Sequence, residues 1–410
     1  MKLLTNIGRL YTGTGSGEDG VLTGAALAVD DGRIVWVGDD AAGPPRAVSE
    51  RVTAIDDCGG GLVTPGLIDA HCHPVYAGER MAEIARRTAG ASYGDIAAMG
   101  GGIGATVAAT RATGAEELRL GLESRLRAWL AGGATTVEAK TGYHLERNGE
   151  LAAVALLHRA GRDPMLPRLE TTFLAAHALP PEMRGSPDDY IAEASSWSAA
   201  AAEAGARFCD VFCDEGYFSV EQSRRVLAAG AAAGLRARVH ADELAHSGGS
   251  LLAAELEAAS ADHLLWADEA DAQALAAAGV VATLSPGTAL SIGRLPPARV
   301  LLDAGVTVAL GTDHNPGTCG MTSMSMVLAL AVAAFGLSVD EALTAATAGG
   351  ARSLCVPDRG AVAVGKTADL VRWDAEHEGA FAWSYGLTPL RVYRGGEDVT
   401  PLAAQPAVTE

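Results

Sequence analysis

The sequence predicts an α/β protein in which an eight-unit (β/α)8 barrel carries a small β-sandwich domain built from both chain ends. Three observations point there. From residue 65 onward short β-type runs alternate with Ala-rich helical stretches, the order that produces a parallel sheet with helices outside it. The runs count to eight, and most end in a polar or ionisable residue, as at the C-terminal mouth of a TIM barrel. The two ends of the chain read as β structure, and each is too small to hold a core alone.

Residues 1–64 form the first part of the small domain, where "AALAVDDGRIVWVGDD" is two short β runs around an Asp-Asp-Gly turn. Residues 65–357 are the barrel. Its runs are "TPGLIDAHCH", "ATTVEAKTGY", "RLETTFLAAH", "FCDVFCDEG", "RARVHADE", "SADHLL", "VVATLSPG" and "VTVALGTDHNPG". Between them, segments such as "GAEELRLGLESRLRAWLAGG" and "VEQSRRVLAAGAAAGL" show helical apolar spacing and stop at Gly. Residues 358–410 complete the small domain with β-like "GAVAVGKTADLVRWD" and "LRVYRGG", and "PLAAQPAVTE" reads as a loose tail.

At 410 residues the chain is too long for one ordinary core but suits a large barrel with an appendage. Its formal charge of -19 is spread along the chain, which disfavours nucleic acid and anionic membranes as partners. "MKLLTNIGRLYTG" lacks a secretory h-region and cleavage site, so a cytoplasmic protein is expected. The uncharged stretch "MTSMSMVLALAVAAFGLS" is long enough to resemble a membrane span. Its Ser/Thr-rich start and its place after a chemistry-bearing loop predict a buried helix instead. The six cysteines form no C-x-x-C pair and read as reduced, mostly buried thiols.

His71 and His73, two apart at the end of the first run, fall on one face of a strand and can reach one ion. His240 and Glu243 close the fifth run, His263 the sixth and Asp313 the eighth. Imidazoles and a carboxylate gathered at one barrel mouth suit Zn²⁺ or a similar divalent metal and leave a position for water. Glu243 is placed to carry a proton from water to a leaving nitrogen. For His263 two readings stand, stabiliser of a developing oxyanion or fifth ligand, and Asp313 serves as ligand, proton acceptor or both. Arg80, in the loop after His73, suits an anion, because a guanidinium offers a carboxylate two parallel hydrogen bonds.

These residues resemble a known family. "PGLIDAHCH", "VHADE", "SADHLL" and "TDHNPGT" are similar to motifs of the metal-dependent amidohydrolase superfamily. The ordered strings "VYAGER", "GASYGDI", "GGGIGATVAATR", "VEAKTGYHLE", "TFLAAHALP", "DVFCDEGYFS" and "TDHNPGT" resemble its imidazolonepropionase family through almost the whole barrel. That resemblance implies hydrolysis of 4-imidazolone-5-propanoate to N-formimino-L-glutamate with one Zn or Fe, by a homodimer. It implies His71, His73, His240 and Asp313 as metal ligands, with Glu243 and His263 at the catalytic centre. Arg80, Tyr143, His177, Asn315, Gly317 and Thr318, together with Glu243, match positions that hold the substrate.

Two residues depart from the pattern: His144 in "TGYH" stands where a small residue is usual, and His314 follows Asp313 where Phe is common. Both are read as packing. The fourth run ends "CDEG" without a lysine that could bridge two metals, and Lys140 ends the second run as a structural or mouth residue. A single metal is therefore expected. The same constellation also serves a deaminase of a nucleobase or cyclic amidine, but Arg80 with Tyr143 favours a substrate bearing a carboxylate. A catalytically silent barrel would require broken ligands, and none is broken.

Overall fold

The computed structural model describes residues 1–15, 20–91 and 99–401. The expected tail at 402–410 and most of the "GASYGDI" string lie outside the described residues.

The chain begins with β1 (Lys2–Tyr11), β2 (Val21–Asp30) and β3 (Arg33–Asp39), an antiparallel meander. Asp31 and Gly32, at φ +47° and +73°, make its second turn, since a tight hairpin needs two left-handed residues. Next come β4 (Ala54–Asp57) and β5 (Leu62–Pro65), both parallel to β1. Eight strands then form the barrel: β6 (Leu67–Asp69), β7 (Ala134–Lys140), β8 (Arg168–Ala176), β9 (Phe208–Cys213), β10 (Arg236–Ala241), β11 (Ser260–His263), β12 (Val281–Leu284) and β13 (Val308–Leu310). The chain finishes with β14 (Leu370–Trp373), β15 (Pro389–Arg394) and β16 (Glu397–Asp398).

The small domain does join both ends, because β5 pairs antiparallel with β14. Its strands run as one continuous hydrogen-bonded sheet in the order β16-β15-β14-β5-β1-β2-β3, with β4 also on β1. Leu4, Ile7, Leu10, Leu27, Ile34, Val63, Leu370 and Tyr393 make its own core. Most of "GAVAVGKTADLVRWD" is irregular, and regular strand starts only at Leu370. Left-handed Gly360 and Gly365 bend this loop so that Val362 N reaches Thr12 O and Lys366 O accepts from Ile34 N.

In the barrel every neighbouring pair from β6 to β13 is parallel. Closure comes just beyond the first and last strands, where Ala70 N donates to Leu310 O, Asp313 N to His71 O and His73 N to His314 O. β6 ends at Asp69, so His71 and His73 lie past it rather than on it. Cys72 between them forms a parallel bridge with His314, so strand-like alternation at this seam still points both histidines to one side.

The outer helices follow the apolar spacing of the sequence. Helix Ala115–Ala131 buries Leu118, Leu122, Leu126 and Trp129 on one stripe, and Val220–Ala232 starts at a Ser219/Gln222 capping box. The uncharged stretch forms helix Met324–Phe335, most of it buried, and among the described residues no helix is long and apolar enough to cross a membrane. All six cysteines are free; five are buried and Cys355 is half-buried.

Trp373 ties the two parts together. Its indole is fully buried, donates to Thr64 Oγ1 at 2.9 Å and covers left-handed Gly133, where a Cβ would meet the ring at 2.4 Å. Trp373→Ala is expected to cost about 3–5 kcal/mol, the usual range for truncating a buried tryptophan. Urea unfolding checks this, and a midpoint within error of the parent would refute it.

Candidate metal centre and active site

Below the barrel mouth lies a layer of charged side chains cut off from water. Glu138, Lys140, Asp210, Arg238 and Asp262 are all at 0% exposure. Lys140 Nζ donates to Glu138 Oε1, Asp210 Oδ2 and Asp262 Oδ2 at 2.8, 2.7 and 3.2 Å. Arg238 Nε lies 2.8 Å from Glu138 Oε1, and its Nη2 donates to Ala70 O at 2.9 Å. Buried carboxylates need such partners to stay ionised. Burial opposes their charge, but Arg238 and Lys140 hold Asp262 well below the usual range, and His240 and Lys140 do the same for Asp210.

Each of those two aspartates orients one imidazole above it. His71 Nδ1 donates to Asp262 Oδ2 at 2.7 Å, and His240 Nδ1 stands 2.9 Å from Asp210 Oδ2. With the Nδ1 positions committed, both rings present Nε2 upward. The Nε2 atoms of His71 and His73 are 3.3 Å apart, and those of His73 and His240 are 3.4 Å apart. Asp313 Oδ1 joins them, 3.5 Å from His71 and 3.4 Å from His73. Bonds of about 2.0–2.1 Å in a tetrahedral zinc site separate their ligands by about 3.3–3.4 Å. Three imidazole Nε2 atoms and a carboxylate oxygen at these spacings form a donor set that fits a divalent metal.

The expected roles have sharp electrostatic settings. Burial and Lys140 depress the His71 imidazolium, but Asp262 and Asp313 outweigh them and raise it to about 9. Burial, reinforced by Asp313 and Asp214, pushes the Glu243 carboxyl well above its usual range, which suits a proton carrier. Burial, then the charge of His71, drives His263 down to about 3 and keeps it neutral. His263 Nε2 lies 3.8 Å from Glu243 Oε2. Asp313 resists burial through hydrogen bonds with His71 and Thr288, the latter at 2.5 Å, and stays well below the usual range. Left-handed backbone at His263 and Asp313 turns these side chains inward at the cost of local strain. Asp214, after β9, clamps the Glu243 loop by accepting from the amides of Glu243, Leu244 and Ala245.

A cavity of about 330 Å³ opens above the donor cluster. His73, His240, Glu243, His263 and Asp313 line its floor, and Arg80, Tyr143, His177, Asn315 and Thr318 line its sides. His71 is buried behind them. The loop of Tyr143 is fixed by Glu150, whose carboxylate accepts from the amides of Gly142, His144 and Leu145. His177 Nδ1 donates to Gly142 O at 3.0 Å and its ring stacks on His73 with centroids 4.9 Å apart. Asn315 Oδ1 accepts from Gly317 N and Thr318 N, forming the tight turn after Asp313.

Gly317 does not line the cavity but backs it. A Cβ there would lie 1.8 Å from Arg80 Nη2. Neither unusual histidine faces the cavity. His144 packs its ring over Gly149, and His314 contacts Tyr76 Oη at 3.0 Å and Met321 O at 3.2 Å. Sequence reasoning did not select Arg87, Phe212, Tyr217, Leu244 or Ser291, which also line the cavity. A cation seven residues after Arg80 on a helix was the available signal for Arg87; the others carried none.

Gly317→Ala is expected to leave overall stability nearly unchanged while moving the Arg80 guanidinium away from Thr106 Oγ1, which it now meets at 2.5 Å. A crystal structure of the variant checks this; an unmoved Arg80 would refute it.

Comparison with known proteins accords with this geometry. Residues 62–399 match the amidohydrolase family. The imidazolonepropionase of Cereibacter sphaeroides is 42% identical over 95% of this chain and 98% of its own, and that of Salinispora arenicola 43% over 95% and 96%. Similar folds include the atrazine chlorohydrolase of Arthrobacter aurescens complexed with zinc and atraton, at TM-score 0.71 and 21% identity, covering 99% of this chain and 97% of the other. The zinc-bound adenosine deaminase of Xanthomonas campestris scores 0.69 at 20% identity, covering 97% and 92%. The chain belongs to the amidohydrolase family, in its imidazolonepropionase branch.

Proposed function

We propose that this chain hydrolyses the ring amide of 4-imidazolone-5-propanoate to N-formimino-L-glutamate, a step of histidine degradation. One observation carries the reading: a four-donor cluster, a buried carboxyl and a buried arginine converge on a single cavity of substrate size. His71, His73, His240 and Asp313 would hold one divalent ion, Zn or Fe, since imidazole and carboxylate accept either. When bound, the ion supplies Lewis acidity that brings the pKa of water to roughly 7.

The remaining chemistry falls to side chains. Arg80 binds the propanoate and orients the ring, with Tyr143, His177, Asn315 and Thr318 around it, and Gly317 leaves Arg80 its space. Glu243 takes the proton from the water that attacks the ring carbonyl carbon. As the C–N bond breaks, Glu243 returns that proton to the departing nitrogen. Neutral His263 donates to the oxygen that becomes negative during attack, and Asp313 accepts a proton beside it. In this reading residues 65–357 form the catalytic barrel, with 1–64 and 358–410 as the supporting domain of a cytoplasmic homodimer.

Turnover of freshly prepared imidazolone propanoate, followed by loss of its ultraviolet absorbance, tests the proposal. Metal-replete protein that leaves the compound intact would overturn it. Chelation is expected to abolish turnover and zinc or ferrous iron to restore it. Glu243→Gln should keep its metal and fold while kcat falls roughly 10²-fold or more. A variant turning over within threefold of the parent would remove Glu243 from proton transfer.

A further inference from the structure

Arg80 is the N-cap of helix Met81–Thr88 and Arg87, seven residues on, lies in its last turn, so the two fall on one face of the helix. Both line the cavity. Their partners differ in charge. Arg80 Nε lies 3.3 Å from Glu83 Oε2, with the two side chains only 6% and 13% exposed, so a carboxylate balances its charge at close range. Arg87 instead donates to Ser291 Oγ at 3.1 Å and to Gly317 O at 2.8 Å, both neutral. Among the described residues no carboxylate pairs with Arg87. The carboxyl groups facing the cavity, Glu243 and Asp313, offer an anion no counter-charge. Gly317 locks the pair, since its carbonyl anchors Arg87 while its missing Cβ admits Arg80.

We infer that Arg87 determines specificity at this site: it binds the substrate carboxylate beside Arg80 and supplies the unbalanced positive charge by which the cavity selects an anionic ring over a neutral one. The inference rests on the proposed reading of the cavity as the seat of a carboxylate-bearing cyclic amide. Arg80, already balanced by Glu83, orients the group, whereas Arg87 adds attraction at the carboxylate itself.

The test compares metal-loaded parent, Arg87→Met and Arg87→Lys on imidazolone propanoate and on its neutral propanamide analogue. For the propanoate, Arg87→Met should raise KM about 10- to 100-fold, the scale of a lost hydrogen bond to a charged group, with kcat within threefold. The propanamide should lose markedly less, because a neutral amide keeps only the hydrogen-bonding part of the contact, and Arg87→Lys should recover part of the loss. An unchanged KM for the propanoate, or an equal loss with both compounds, would overturn the inference, because the second outcome marks a merely structural role. If the parent turns over neither compound, the proposed reaction fails, and calorimetric binding of non-hydrolysable imidazole propanoate decides on Arg87 separately. There, weaker binding by Arg87→Met supports the inference, and equal affinity or no binding by the parent overturns it.

Discussion

Everything at the mouth of this barrel depends on where two imidazole protons reside. Asp262 binds His71 Nδ1 and Asp210 lies 2.9 Å from His240 Nδ1, and these contacts turn both Nε2 atoms toward one point. Those aspartates are in turn ionised inside a dry interior because Lys140 bridges them and Arg238 neutralises Asp262 and Glu138. Three carboxylates and two cations thus form a platform of fixed charge under the donor cluster. Removing any one member would strand its neighbour as an unpaired buried charge, which is far costlier than the whole set is beneficial.

Above the platform the environment changes within a few ångströms from fixed charge to titratable groups. Glu243 is pushed up and His263 down by the same burial, so the carboxylate holds a proton more readily than a free one and the imidazole stays neutral. Opposed shifts in adjacent groups are the pattern by which one pocket handles protons in both directions. The loop bearing Glu243 owes its position to Asp214, whose two carboxylate oxygens gather three consecutive amides. The last residues of the fourth run therefore serve the fifth.

Much of the barrel and of its chemistry was legible in the sequence because a parallel strand announces itself as an apolar run, and its mouth as the ionisable residue that ends the run. His240 and His263 sit where that logic puts them. His71 and His73 lie just past their strand, at the seam where Cys72 bridges His314. The platform was hidden for a physical reason: Asp210 in "FCDVFC" and Asp262 in "SADH" are single charges inside apolar strands, and what neutralises them comes from strands distant in sequence. Arg87 was missed because a lone arginine on an exposed helix looks like solvated surface until its neighbours are known. The small domain was legible as β structure, but the extent of its penultimate loop depended on two left-handed glycines.

The seam has a consequence for how the molecule comes into being. Asp69 accepts from the amide and hydroxyl of Thr312, 243 residues away, and the backbone beyond them joins His71 to Asp313 and His73 to His314. Contacts of such separation close a loop that spans the whole barrel and carry a large entropic cost, which the intervening strands reduce once they are in place. No partial barrel can assemble the donor cluster. The site exists only once the eighth strand has joined the first, which keeps a nascent chain still lacking that strand from presenting a reactive centre.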